Sequence, residues 1–222
     1  MRAALADLPS LEAFLAERLR LPLPGAEAHR RFAPVPARDG WRPDDVPLTA
    51  RRAAALILIY PGTSGPTVQL TVRHSGLPHH PGQISLPGGG VDAGESAAQA
   101  ALRETYEEIG VTPQAVRILG MLSTLWVIVS NFVVQPFVGL TEARPDFRLA
   151  EREVEALVEL PLRDLHDLKR IGWERRTADG ATIDYPFFDL AGRQVWGATA
   201  MILGEFGALF DAEFGPSPTP HE

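Results

Sequence analysis

The sequence predicts a mixed α and β fold, on three observations. Residues 51–60 (RRAAALILIY) read as a buried strand, apolar without interruption from Ala53 to Tyr60 and closed by the turn signal Pro61-Gly62. Residues 67–73 (TVQLTVR) alternate with a period of two, as a strand with two unlike faces does. Residues 96–109 carry helical apolar spacing between Ser96, a good N-cap, and Gly110, a good C-terminal stop. The 222 residues suit one large domain or two small ones, and an apolar share of 45% supplies a core without disulfide or metal staples.

Ser10 is placed to cap a helix reaching about Arg20, with Leu11, Phe14, Leu15 and Leu19 on one stripe that docks on the core. The Pro-rich stretch from Pro22 to Pro47 reads as an ordered arm or a linker. The strands at 51–60 and 67–73 are joined by Ser64-Gly65-Pro66 as a hairpin. Residues 74–95, rich in Gly, Pro and His, read as loop. After the helix, strands are expected at 116–123, 125–129, 132–140 and 153–160, and Pro161-Leu162 starts a short helix. A hairpin of 169–176 and 182–188 turns at Ala178-Asp179-Gly180, and a helix spans Ala198 to Phe210. The end from Gly215 is Pro-rich. The expected division is an N-terminal extension over 1–50, a domain over 51–212 and a tail over 213–222.

Composition removes several classes of function. Cysteine is absent, so a disulfide framework, a thiolate zinc site and a Cys nucleophile are excluded. The net charge of −7 argues against general nucleic-acid or anionic-membrane binding, which needs clustered positive charge. No apolar run approaches a membrane span, and no signal-peptide pattern opens the chain. A cytoplasmic protein is expected. His74, His79 and His80 do not form a zinc pattern; loop positioning or phosphate contact suits them better. Arg51-Arg52 reads as a solvated strand start, with contact to substrate phosphates as the other reading.

The helix carries the chemistry. At about 100° per residue, Ala98, Leu102, Thr105 and Ile109 share one arc, and Glu104, Glu107 and Glu108 share another roughly 140° away. One side packs on a sheet while three carboxylates face away together. Carboxylates at this spacing repel one another and sit at the end of a helix whose dipole disfavours them. Upstream stands a fixed pattern: Gly89, five residues, Glu95, seven residues, then Arg103-Glu104-Thr105-Tyr106-Glu107-Glu108-Ile109-Gly110-Val111. At ordinary residue frequencies, a chance match to its seven fixed positions is on the order of 10⁻⁶.

This pattern resembles the Nudix box, with Thr105 standing where the box has an aliphatic residue. The resemblance implies an α/β/α sandwich around a central mixed β-sheet and hydrolysis of a nucleoside diphosphate linked to another group. It implies Mg²⁺ or Mn²⁺ held by Glu104, Glu107, Glu108 and Gly89, since hard cations take oxygen ligands. Arg103 orients a carboxylate, and Glu95 supports the loop against the helix. The water-activating base is a box glutamate, Glu107 or Glu108, or Glu153 from the later acidic run Glu151, Glu153 and Glu155.

The segment before the box is similar to the signature of the coenzyme A pyrophosphatase branch. It reads Leu70-Thr71-Val72-Arg73, then His80-Pro81-Gly82-Gln83-Ile84-Ser85-Leu86-Pro87-Gly88-Gly89. Gln69 and Leu86 depart from that signature, and its second arginine is missing, with Arg73 or His79 as substitutes. Trp196-Gly197-Ala198-Thr199-Ala200 and Ser130-Asn131-Phe132 with Pro136 resemble later elements of the branch. The similarity implies substrate contacts from Arg73, His80, Gly82, Gln83 and Gly88. The expected substrate is coenzyme A or an acyl derivative, cleaved to 3′,5′-ADP and a 4′-phosphopantetheine part. A Nudix pyrophosphatase for ADP-ribose or NADH, and a non-catalytic Nudix-fold binding module, are the other readings. The expected partner is this small nucleotide substrate, with oligomeric state left open.

Overall fold

A computed structural model describes residues 5, 7–42, 45–78, 80–178, 181–190 and 192–216. Of the sequence expectations, His79, Asp179-Gly180 and the end from residue 217 lie outside this set. In chain order the elements are α1 (Leu8–Arg18), α2 (Gly25–Arg31), β1 (Arg51–Gly62), β2 (Gly65–Arg73), β3 (Ile84–Ser85), β4 (Gly88–Gly90) and α3 (Ala97–Ile109). Then come β5 (Arg117–Met121), β6 (Leu125–Val127), β7 (Phe132–Leu140), β8 (Val154–Pro161) and α4 (Leu162–Leu165). The chain continues through β9 (Ile171–Ala178), β10 (Ala181–Leu190), β11 (Arg193–Trp196) and α5 (Gly197–Ala208).

β1 organises the molecule. It forms a hairpin with β2 and runs parallel to β7 over the whole stretch from Arg51↔Phe132 to Ile59↔Leu140. The other pairings of this sheet, β2 with β3 and β8 and β7 with β5 and β6, are antiparallel, so the sheet is mixed. Both faces of β1 are covered, which is why it reads as one unbroken apolar run. Ala54, Leu56 and Leu58 pack with Ala100, Ala101 and Ile109 of α3 on one face. Ala55, Ile57 and Ile59 join the cluster of α5 and the N-terminal helices on the other. The result is the α/β/α sandwich. The three-stranded sheet β11-β10-β9 is separate.

Several local expectations change. Asp7, not Ser10, caps α1: its side chain accepts from the Ser10 N–H at 2.8 Å, and Ser10 lies inside the first turn. The Pro-rich arm contains α2, too short to be stable alone. It is held by tertiary contact, because buried His29 Nε2 meets Glu205 Oε2 of α5 at 2.9 Å. Glu205 Oε1 also accepts from the Gly25 and Ser123 N–H groups, each at 3.1 Å. The supposed loop 74–95 contains β3 and β4; β3 is only two residues long and β4 is all glycine, with little strand propensity, and β2 and β1 supply the pairing. β11, four residues long, has no counterpart in the sequence reading. Phe214 stands in the stretch read as tail, yet it is buried beside Phe32 and Phe188. Gln69, a departure from the upstream signature, is buried and satisfied by Tyr60 Oη at 2.9 Å and the Leu70 carbonyl at 2.7 Å.

His166, just after α4, sits edge-on to Phe210 and Phe214 with its Nε2 buried and unpartnered among the described residues. Burial pushes its pKa down to about 4. Below its unfolded value the unfolded chain takes up a proton that the native state refuses. Stability is therefore lost as pH falls from about 6.5 towards 4. Discounted for partial exposure, this amounts to about 2 kcal/mol. His166→Phe is expected to gain that amount over wild type between pH 7 and pH 4 in urea unfolding.

Candidate active site

Helix α3 is fixed at both ends. Ser96 Oγ accepts from the Gln99 N–H and the Gln99 side chain accepts from the Ser96 N–H, a reciprocal capping box. Gly110 closes the helix in the left-handed region at φ 77°. The loop before β8 covers the last turn: the Arg148 N–H donates to the Ile109 carbonyl and the Ala150 N–H to the Glu108 carbonyl, both at 2.9 Å. This loop brings Glu153 to the helix end.

The three helical carboxylates do not share one solvated face. Glu108 is buried, with 5% of its surface exposed, while the Glu104 side chain is 17% exposed and that of Glu107 51%. The correction is geometric. Glu108 borders the packing arc and turns under β4, where the Gly88 N–H donates to its Oε2 at 3.3 Å. Glu104 lies against Gly89: a Cβ at that position would stand 2.5 Å from the Glu104 carboxyl carbon. Glycine at 89 leaves the space that the carboxylate fills.

Arg103 is the hub of the outer half. Its Nε and Nη2 grip Glu95 at 2.9 and 3.1 Å, Nη1 donates to Glu104 and Glu107 at 2.9 Å, and Nη2 donates to the Gly90 carbonyl at 2.9 Å. Glu95 also accepts from the Asp92 N–H at 3.1 Å, so one guanidinium ties loop, strand and helix together. This pairing holds the Glu95 carboxyl below the usual range.

Burial pushes Glu108 up to about 8, opposed by the Gly88 N–H and the Arg73 charge and reinforced by Glu104 and Glu153. Burial also raises Glu104 against the pull of Arg103, with Glu107 and Glu153 adding to the rise. Glu108 thus lies within electrostatic reach of Arg73, Glu104 and Glu153, and Glu104 within reach of Glu107 and Glu153. Arg73 ends β2, and its Nε is buried without a partner among the described residues.

Glu151 and Glu153 lie in a turn before β8, which starts at Val154, so strand alternation does not align them with Glu155. Glu155 accepts from the Ser75 N–H at 3.2 Å instead. His80, Gly82 and Gln83 are tied to Arg73 rather than to the carboxylates. The Arg73 N–H donates to the Gln83 carbonyl at 2.9 Å, the Gly82 N–H donates to the Arg73 carbonyl at 3.0 Å, and His80 Nδ1 lies 3.0 Å from Gln83 Oε1. Thr199 at the start of α5 donates to the Ile84 carbonyl at 3.2 Å, bringing the late Trp-Gly-Ala-Thr-Ala element to the same loop.

The donors suit a hard divalent cation. They are all oxygen, two are carboxylates withdrawn from water, and the Gly89 cradle seats one of them. Among the described residues no three carboxylate or imidazole side chains enclose a point. Magnesium fits this, because it usually takes one or two protein carboxylates and completes its shell with water and substrate phosphate.

The chain is similar to known proteins in sequence. The NUDIX domain family profile matches residues 50–179. An uncharacterised Nudix hydrolase, NudL, of Enterobacter sp. (strain 638) is 36% identical over 163 residues, covering 70% of this chain and 81% of that one. NudL of Salmonella newport (strain SL254) is also 36% identical, over 165 residues, 71% of this chain and 82% of that one. Among solved structures, a C. elegans Ap4A hydrolase aligns with 50% of this chain and 80% of its own, at 26% identity and a TM-score of 0.43. A Nudix hydrolase from Alicyclobacillus acidocaldarius aligns with 55% of this chain and 82% of its own, at 22% identity and a TM-score of 0.43.

Proposed function

The chain belongs to the Nudix hydrolase family, and from that premise we propose that it cleaves the pyrophosphate of coenzyme A or an acyl derivative, giving 3′,5′-ADP and a 4′-phosphopantetheine part. The observation that carries this reading is Arg73. It closes the branch-like segment Leu70–Arg73, its carbonyl and N–H anchor the His80–Gln83 loop, and its charge acts on Glu108. A guanidinium nitrogen that is buried, without a partner among the described residues, and within electrostatic reach of Glu108 suits a pyrophosphate oxygen.

Glu104 and Glu108, with Gly89, would hold Mg²⁺ or Mn²⁺, and Glu107, exposed on the same helix, would reach it through water or substrate; the ion would neutralise pyrophosphate charge and acidify the attacking water. The chain's own residues do the rest. Arg73 binds and orients the pyrophosphate, and the Gly88 N–H fixes the Glu108 carboxylate. Arg103 keeps Glu104 and Glu107 in place and shields part of their mutual repulsion. Glu153, exposed at the mouth of the cluster, is free to accept the proton of the attacking water.

The test is a panel of coenzyme A, ADP-ribose and NADH, each with and without Mg²⁺ or Mn²⁺, with products identified by mass. Metal-dependent 3′,5′-ADP from coenzyme A is the expected result. AMP from ADP-ribose or NADH, with coenzyme A untouched, would overturn the substrate assignment. Intact substrates throughout would favour a binding module.

A further inference from the structure

Arg51 and Arg52 stand side by side at the start of β1, and a strand sends such neighbours to opposite faces. Arg51 shares its face with Ala55, Ile57 and Ile59. It is fully engaged there: its guanidinium carbon lies 4.0 Å from the centre of the Phe132 ring, and Nη2 donates to the Ser130 carbonyl at 3.1 Å. Arg52 shares its face with Ala54, Leu56 and Leu58, which pack against α3. The register of β1 with β7 is unbroken from residue 51 onward, so this alternation holds at Arg52. Arg52 is exposed, and among the described residues its guanidinium has no hydrogen bond, ion pair or ring contact.

Its place is specific. The Arg52 carbonyl accepts from the Val91 N–H at 3.0 Å, and the next pairs are Ala53↔Gly90 and Ala54↔Gly89. Gly89 is the position against which the Glu104 carboxylate rests. At about 3.3 Å per residue, Arg52 lies roughly 7 Å along the strand from Ala54. Arg73 acts at the Gly88 end of this short strand, and Arg52 lies past the Gly90 end. The chain carries a net charge of −7, and four glutamates gather at the site. An unengaged guanidinium on the rim of that cluster is an anchor for a second anionic group of the substrate, and its planar fork matches phosphate.

We propose that Arg52 is a specificity-determining residue that binds a phosphate monoester on the substrate ribose, within the length of that sugar from the scissile pyrophosphate. The inference rests on the coenzyme A reading, in which that group is the 3′-phosphate of the adenosine. It separates coenzyme A from dephospho-coenzyme A, ADP-ribose and NADH.

The test compares wild type, Arg52→Gln and Arg52→Lys. Binding of adenosine 3′,5′-bisphosphate and of AMP is measured calorimetrically with Mg²⁺ present, and kcat/KM is measured on coenzyme A and dephospho-coenzyme A. Wild type is expected to bind the bisphosphate about tenfold more tightly than AMP, the size of one exposed charge-assisted contact. Arg52→Gln should erase that preference while leaving AMP affinity unchanged. It should also raise KM for coenzyme A with kcat retained and leave dephospho-coenzyme A unaffected. Arg52→Lys should restore part of the preference. Absence of a preference in wild type, or equal effects of Arg52→Gln on both nucleotides, would overturn the proposal. Failure to cleave coenzyme A would overturn the substrate reading alone, since the binding comparison still decides the role of Arg52.

Discussion

Glu108→Gln is expected to lower kcat by about a thousandfold or more while leaving the fold intact. The size follows from losing several kcal/mol of charge stabilisation at the reacting phosphate, at roughly 1.4 kcal/mol per tenfold. The intact fold follows from burial. Water is withheld from Glu108, so its charged form is already disfavoured. An amide of the same shape still offers an oxygen to the Gly88 N–H and carries no charge to desolvate. Activity on the preferred substrate and thermal unfolding, measured on the same preparation, check both halves. Near wild-type turnover with a normal unfolding curve would remove Glu108 from the metal set.

Gly88→Ala has the opposite signature, a loss of the fold before a loss of chemistry. A Cβ at residue 88 would stand 2.3 Å from the Ala54 carbonyl oxygen and 2.7 Å from the Ala55 Cα. Those are main-chain atoms of the central strand and have nowhere to go. The pairing Ala55↔Gly88 would have to open, and with it the hydrogen bond to Glu108. The expected cost is on the order of 4 kcal/mol, comparable to other severe steric substitutions, or a fall of about 8–16 °C in Tm for a chain of this size. A melting temperature within a few degrees of wild type would show that β4 can shift without harm.

These two residues also show what the sequence can and cannot tell. Helix α3 and its glutamates are legible because caps, stop and spacing are local: Ser96, Gly110 and the i, i+3, i+4 carboxylates are visible in one short stretch. That Glu108 is buried is not local. The helical arc built from apolar residues alone places all three glutamates outside, and only the covering strand β4 reveals that one of them lies beneath it. The same holds for Gly88–Gly90, a glycine run read as loop that becomes a strand because β1 presents its edge. Arg103 sits in the recognisable pattern, yet its simultaneous grip on Glu95, Glu104, Glu107 and the Gly90 carbonyl depends on the loop and helix meeting in space. Helix α2 is hidden for a related reason, since prolines flank it and its anchor, Glu205, is some 180 residues away in sequence.

On the proposed reading, Glu104 and Glu108, seated on Gly88 and Gly89, hold the divalent cation on which hydrolysis depends. Manganese binding by the full chain, followed by electron paramagnetic resonance, tests it most directly. Wild type should bind Mn²⁺, Glu108→Gln should bind it at least tenfold more weakly, and Glu155→Gln, whose carboxylate serves the Ser75 N–H, should match wild type. Equal Mn²⁺ affinity in wild type and Glu108→Gln would show that Glu108 does not hold the cation.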